Sequence, residues 1–144
     1  MTETEEVLAA TMPRLTEAET ALHNGDTGGR IAMWSRTDPL TVFGAALSAS
    51  GWAEIGPMFD KLGTVFAGCE SYRNEIIAAG ASGDLAYIVA LEHTTASING
   101  AEAQPFVLRA TTVFRREDGE WKVVHRHADS ITPDVVQKLL NPPR

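Results

Sequence analysis

Hydrophobic positions along this chain change period once. Val7, Leu8, Met12, Leu15, Ala18, Ala21 and Leu22 recur at the spacing of one helix face. Thr2 and Glu5 match the capping-box spacing, so the first helix is expected to begin near Glu3. Pro13 falls inside that run and predicts a kink or a split. His23-Asn24-Gly25 reads as the stop, with Gly25 in the left-handed position. Asp26 then caps a short second helix ending around Trp34, and Thr41-Val42-Phe43 forms a short strand between Pro39 and Gly44. Trp52, Ile55, Phe59, Leu62 and Phe66 share one face of a third helix that starts at Ser50 or Gly51, with Pro57 near its first turn. From Glu70 onward the period is two. Strands are expected near 71–80, 84–97, 105–117 and 120–130, with turns at Gly83, Asn99-Gly100 and Asp118-Gly119. Val135, Val136, Leu139 and Leu140 predict a short closing helix over about 133–140.

Three helices followed by a long antiparallel meander define an α+β class. A strongly curved sheet with helices across its concave side makes a cone, and such a cone encloses a small-molecule pocket. The 144 residues suit one domain, 1–144, with a core over about 5–130, and the chain holds no internal repeat or linker. A net charge of −7 argues against a nucleic-acid partner, because phosphate binding needs a basic surface. No apolar run reaches the roughly 20 residues that span a membrane, and the acidic start Met-Thr-Glu-Thr-Glu-Glu is unlike a signal peptide, so a cytoplasmic location is expected. Cys69 is the single cysteine, which excludes an intrachain disulfide and a cysteine-based metal site.

Several local motifs resemble one family. They are Asn24-Gly25-Asp26, the helix ending in Trp34-Ser35, Thr41-Val42-Phe43-Gly44, Gly51-Trp52, and the closing Thr112-Val-Phe-Arg-Arg-Glu-Asp-Gly-Glu-Trp121 with His125-Arg126-His127. This arrangement is similar to the SnoaL-like proteins of the nuclear-transport-factor-2-like superfamily, over roughly residues 5 to 130. The resemblance implies a cystatin-like or ketosteroid-isomerase-like cone with an enclosed pocket. It also implies three reactive positions that are vacant here. The isomerase base falls at Gly44, and its oxyanion-hole aspartate and tyrosine fall near Thr112 and Ala18. The same hairpin looks like the association domain of calcium/calmodulin-dependent kinase, whose anion-holding arginines correspond to about Val89, Thr112 and Ala128.

The hairpin from Leu108 to Asp129 carries the densest polar chemistry. A two-residue loop at its tip pairs Thr112 with His125 and Ala110 with His127. A three-residue loop pairs Arg109 with His127 and Thr111 with His125, and a bulge would alter the facing again. In the catalytic reading His127 is the general acid or base, Asp129 or Glu92 orients it, and Arg109 holds an anionic or enolate oxygen. In the packing reading the same side chains bond within a sheet or at a dimer seam. Asp38 is a displaced base or an Asp-Pro turn residue. His93 and Tyr87 share a strand face that lines the pocket if it is the concave one. Thr112, His125 and an aromatic wall including Trp34 complete the candidate ligand contacts. His-x-His lacks further ligands, so neither a metal nor a cofactor is expected.

The expected function is that of a SnoaL-like small-molecule-binding protein. Its activity would be that of a cofactor-independent isomerase, cyclase or dehydratase moving protons on a mostly apolar substrate. The alternative is a non-catalytic ligand-binding or oligomerisation module. Val107, Val113, Val123 and Val124 cannot all face one core, so a homodimer formed by sheet packing is expected.

Overall fold

The computed structural model describes residues 1–130, so the expected helix over 133–140 lies outside the described residues. Helix α1 spans Glu3–Leu22 and has both halves of its capping box. The Thr2 hydroxyl accepts from the Glu5 amide at 3.1 Å, and the Thr2 amide donates to Glu5 Oε1 at 3.2 Å. Pro13 does not split it. Pro13 and Ala9, whose carbonyl loses its helical donor, both face solvent, so water satisfies the orphaned oxygen while Val7, Thr11, Leu15, Ala18 and Leu22 stay buried. Helix α2 spans Gly28–Met33, and Asp26 Oδ1 accepts from the Gly28 amide at 3.0 Å. Helix α3 spans Trp52–Val65. Pro57 sits in its second turn rather than its first, and again both the proline and the matching Ala53 are exposed.

Six strands follow this order: β1 (Thr41–Phe43), β2 (Ser48–Ser50), β3 (Phe66–Ser82), β4 (Leu85–Ile98), β5 (Gln104–Glu117) and β6 (Glu120–Asp129). β2 is a correction to the sequence reading; Ser-Ala-Ser is too short and polar to show a period. The strands form one curved, unclosed sheet in the order β2-β1-β6-β5-β4-β3, antiparallel except for β1 beside β6. Register shifts interrupt β3 between Ala67 and Ser71 and between Ile76 and Ala78, and such bulges bend a strand and raise its twist. α1 packs across β3 and against α2 on the concave side. No helix of the described residues is long and apolar enough to cross a membrane.

The β5–β6 hairpin closes with a two-residue loop, since Glu117 opposes Glu120. Asp118 and Gly119 have φ of 51° and 80°, the left-handed pair that matches strand twist. Phe114 opposes Val123, but Val113 opposes His125, so Val124 is the extra residue of a bulge. Neither expected register survives that insertion. The pairs are Thr111 with His127, Thr112 with Arg126, and Arg109 with Asp129. Trp121 and Val123 face the core before the bulge, and Arg126 and Ala128 face it afterwards. A one-residue slip flips every later side chain to the other face.

Replacing Gly119 with Val should lower stability by about 1–3 kcal/mol through backbone strain alone. Nothing lies within 4 Å of a Cβ added there, so no steric clash contributes. Denaturant unfolding that shows no loss would mean the turn has another conformation.

Candidate functional site

The concave face of the sheet carries charge where a small domain usually carries only apolar groups. Along β4 the inward residues are Ala86, Ile88, Ala90, Glu92, Thr94 and Ala96. Along β5 they are Ala110, Thr112 and Phe114. Ala90, Ala110 and Ala128 stand side by side across three strands and leave a low row on the sheet. Arg126 lies in the row on one side of these alanines and Glu92 in the row on the other. The arginine spans the low row and forks onto the carboxylate, with Nη1 to Oε2 at 2.8 Å and Nη2 to Oε1 at 2.6 Å. Both side chains are at least 93% shielded, at 7% and 4% exposure. Burial raises the Glu92 pKa, but the charge and hydrogen bonds of Arg126 outweigh it and hold the group at about 2.

A second pair faces the first from the helices. Arg30 of α2 donates through Nε and Nη2 to Glu19 of α1, with Nη2 at 2.7 Å from each carboxylate oxygen. The Arg30 guanidinium also sits 5.2 Å from the centre of the Phe59 ring, so it joins α1, α2 and α3. Each pair feels the other: Arg30 helps lower the Glu92 pKa, and Glu19 helps raise that of Arg126. The Tyr72 hydroxyl accepts from Asn74 Nδ2 at 3.1 Å, and burial beside Glu92 raises its pKa, so it stays a neutral phenol.

His23 caps the C-terminal end of α1 and closes this polar set. Its Nδ1 lies 2.6 Å from the Glu19 carbonyl oxygen, and its ring packs 4.5 Å from that of Phe66 and 5.9 Å from that of Tyr72. Burial lowers its pKa, so the imidazole is neutral near pH 7. Between the two ion pairs is a cavity of about 10 Å³, lined among others by Ala18, Trp34 and Thr112. That is room for about one water. Beside the ion pairs the protein's own charged side chains leave only that volume, and a larger cleft of about 190 Å³ lies at the start of α1, lined among others by Glu3, Glu6, Arg116 and Trp121.

Three of the expected site residues face this interior: Glu92, Thr112 and Trp34, whose ring packs 5.3 Å from Phe59. The others do not. Arg109 and Asp129 do meet, at 2.8 and 3.0 Å, but as an exposed pair on the outer sheet face. That contact lowers the Asp129 pKa. His127 is exposed on the same face, with the edge of Phe43 5.6 Å away. His125 points the same way and bonds Thr41 Oγ1 at 2.7 Å; burial and then the charge of His127 lower its pKa. The expected opening of Arg109, His127 and Asp129 onto one cavity is thus corrected: the bulge at Val124 turns His127 and Asp129 outward, and Arg109 faces outward because its neighbours Ala110 and Thr112 on β5 face the core. Tyr87 and His93 also lie on the outer face, His93 bound to Glu75 at 2.9 Å. Val89 lies there too, so the three kinase-like anion positions do not share a face. Asp38 accepts from the Trp52 amide at 3.3 Å and so serves the start of α3. Among the described residues no three His, Cys, Asp or Glu groups converge as a metal would require. The sequence reading missed Glu19, His23, Arg30, Tyr72 and Arg126. A usable signal existed for Glu19 and Arg30, since each interrupts an otherwise inward helix face.

Comparisons with known proteins agree with the fold. The SnoaL-like domain profile matches residues 13–132, and the chain belongs to that family. No curated protein matches the sequence. A nuclear transport factor 2-like superfamily protein from Salmonella enterica is similar in structure, with a TM-score of 0.72 at 16% identity over 89% of this chain and 90% of that one. An NTF2-like protein from Pseudomonas putida has a TM-score of 0.67 at 25% identity, over 92% and 93%. A ketosteroid isomerase-like protein from Erwinia carotovora atroseptica has a TM-score of 0.68 at 21% identity, over 89% and 98%.

Removing one partner of the sheet-borne pair should be severe. Arg126→Met alone leaves Glu92 charged and unpaired and should cost about 3–5 kcal/mol, whereas Arg126→Met with Glu92→Leu should recover most of it. Chemical denaturation of the two variants checks this; equal losses would mean the pair is not the source. Stability should also fall on acidification in two stages. The depressed His23 pKa gives stability that is full above about pH 6.5 and lost as pH falls, because the unfolded chain takes up the proton first. Glu92 stability is full above about pH 4.3 and is lost toward about pH 2. A His23→Phe variant should lose the first stage only.

Ala18 and Thr112, near which the resemblance puts the isomerase oxyanion-hole tyrosine and aspartate, flank the same small cavity and supply neither of those groups. One such donor is typically worth about 100–1,000-fold in rate. The protein should give no appreciable steroid double-bond isomerisation in a spectrophotometric assay.

Proposed function

We propose that this protein is a SnoaL-like small-molecule-binding protein whose site is the concave side of the cone. It would act as a cofactor-independent isomerase, cyclase or dehydratase, by proton transfer on a mostly apolar substrate. The observation that carries this reading is the pair of buried Arg–Glu bridges facing Thr112 and Trp34. Replacing buried ion pairs by well-packed apolar residues is often neutral or stabilising, so stability alone gives no reason to keep four charges there. A site that must bind and orient polar atoms does give one. The likeness to a ketosteroid isomerase-like protein supports the fold context, and the vacant isomerase positions point to a different proton-transfer apparatus.

One observation favours a second reading, that of an association module. The cavity of about 10 Å³ is too small for a substrate without movement of its lining. Under either reading we propose a homodimer. Phe43, Leu85, Tyr87 and Val107 of the outer face are 43–56% exposed, more apolar surface than an isolated sheet face normally shows. His93, His125, His127 and the Arg109–Asp129 pair would then be part of the sheet-to-sheet contact.

Native mass spectrometry of the purified protein tests the small-molecule reading: a copurifying compound released on unfolding supports it. A clean apo-protein that no compound library shifts in melting temperature would favour the association module. Light scattering at micromolar concentration should give a dimer, and Val107→Arg should shift it to monomer without unfolding it. A wild-type monomer would overturn the assembly proposal.

A further inference from the structure

We infer that the cleft at the start of α1 is a second binding site, for a small primary ammonium ion that also carries an amide carbonyl. No residue lines both this cleft of about 190 Å³ and the space between the two ion pairs. The site therefore stands whether or not the concave interior takes a ligand.

Two walls meet at the cleft. The sheet wall includes Ala81 of β3, Arg116 of β5 and Trp121 of β6. Arg116 donates through Nε to Asp84 Oδ1 at 3.0 Å and through Nη2 to the Gly83 carbonyl at 3.2 Å. Its guanidinium also lies 5.0 Å from the centre of the Trp121 ring, so this wall is tied in place and Asp84 already meets the arginine's charge. The helix wall is Glu3, Glu6 and Val7. α1 carries three acidic residues in its first turn, and they divide by task. Glu5 completes the capping box with Thr2. Glu3 and Glu6 stand at i and i+3 on one side of the helix; among the described residues they make no hydrogen bond or ion pair, and they line the cleft.

Trp121 is nine-tenths buried, at 9% exposure. Its Nε1–H has no acceptor among the described residues, yet no side-chain nitrogen of those residues is both sealed and unpartnered. The indole nitrogen is thus open, and the cleft is open space that Trp121 lines. A donor there calls for an oxygen that the protein itself does not supply.

Charge decides the rest of the ligand. With Arg116 taken by Asp84, Glu3 and Glu6 leave two unbalanced negative charges at the cleft. The positive end of the α1 dipole amounts to about half a charge and does not offset them. A cation is favoured and an anion repelled. The oxygen offered to Trp121 is then a neutral one, since a carboxylate would find the arginine occupied and two carboxylates nearby. An ammonium carries three donors for the glutamates, and an adjacent amide carbonyl accepts from the indole. Val7 and Ala81 add apolar lining for a short aliphatic arm.

Three probes of one shape test this by NMR titration near pH 7: leucinamide, the zwitterion leucine, and 4-methylpentanamide, which lacks the ammonium. Leucinamide should bind about tenfold tighter than either of the others, as expected for one charge-assisted hydrogen bond. It should also move the indole Nε1–H resonance of Trp121. Glu3→Gln with Glu6→Gln leaves the capping box intact and should lose about tenfold in leucinamide affinity. Should that variant not fold, the ranking of the probes on the wild-type protein decides. Leucyl-glycinamide extends the same ammonium and carbonyl into a peptide. Affinity equal to that of leucinamide assigns the site to a peptide amino terminus, weaker affinity assigns it to a free amine, and either result keeps the inference. Leucine or 4-methylpentanamide binding as tightly as leucinamide overturns it. So does an unchanged affinity in the folded double variant, a shift of the Trp34 indole in place of Trp121, or no binding at millimolar concentration.

Discussion

The buried fork of Arg126 onto Glu92 constrains more of this molecule than any apolar contact does. A guanidinium taken out of water must find its carboxylate with good geometry or the sheet does not form as it is. Meeting that demand requires a low row of alanines for the arginine to cross, an inward-facing glutamate in the middle of β4, and a bulge that turns position 126 inward. The helices repeat the arrangement from above with Glu19 and Arg30. The two pairs thereby balance their charges, and the space left between them holds about one water.

The bulge separates what could be read in the sequence from what could not. Helix α1 with its capping box, the Gly25 stop, the last three long strands and the Asp118-Gly119 turn follow from local spacing and turn chemistry and lie where the pattern puts them, whereas β3 begins already at Phe66, which the pattern puts on α3. Local patterns are legible because each depends on residues within one turn or one hairpin. The facing of β6 is different. His125, His127 and Asp129 alternate with Trp121 and Val123 as if all shared one face, and without an insertion they would. Val124 carries no mark that distinguishes a bulged residue from a paired one, so the histidines were placed beside a cavity they do not reach.

The interior residues were partly legible. Glu92 enters the sequence reading as a possible partner of His127, and Thr112 as the position that the resemblance gives to an oxyanion-hole aspartate, so neither is read from its inward facing. Arg126 hid between two histidines that looked more reactive. Glu19 interrupts the apolar face of α1, but like His23 it also fits an ordinary polar residue of a helix end, since surface helices end in such groups. Only the approach of α1 to β3 and of α2 to α1 turns them inward. Sequence spacing is silent on which helix crosses which strand, and polar sites assembled from separate elements share that opacity.

The irregular β3 strand has a consequence for the molecule in a crowded solution. It is the outermost strand of an unclosed sheet and runs for 17 residues, with Ile76 and Ile77 exposed. A regular edge of that length would present an unbroken ladder of amides and carbonyls onto which another chain could zip, the first step toward a fibre. The two shifts in its pairing break the ladder into short lengths that an incoming strand cannot match in register. The same irregularities that curve the sheet around its interior thus also guard its rim against polymerisation.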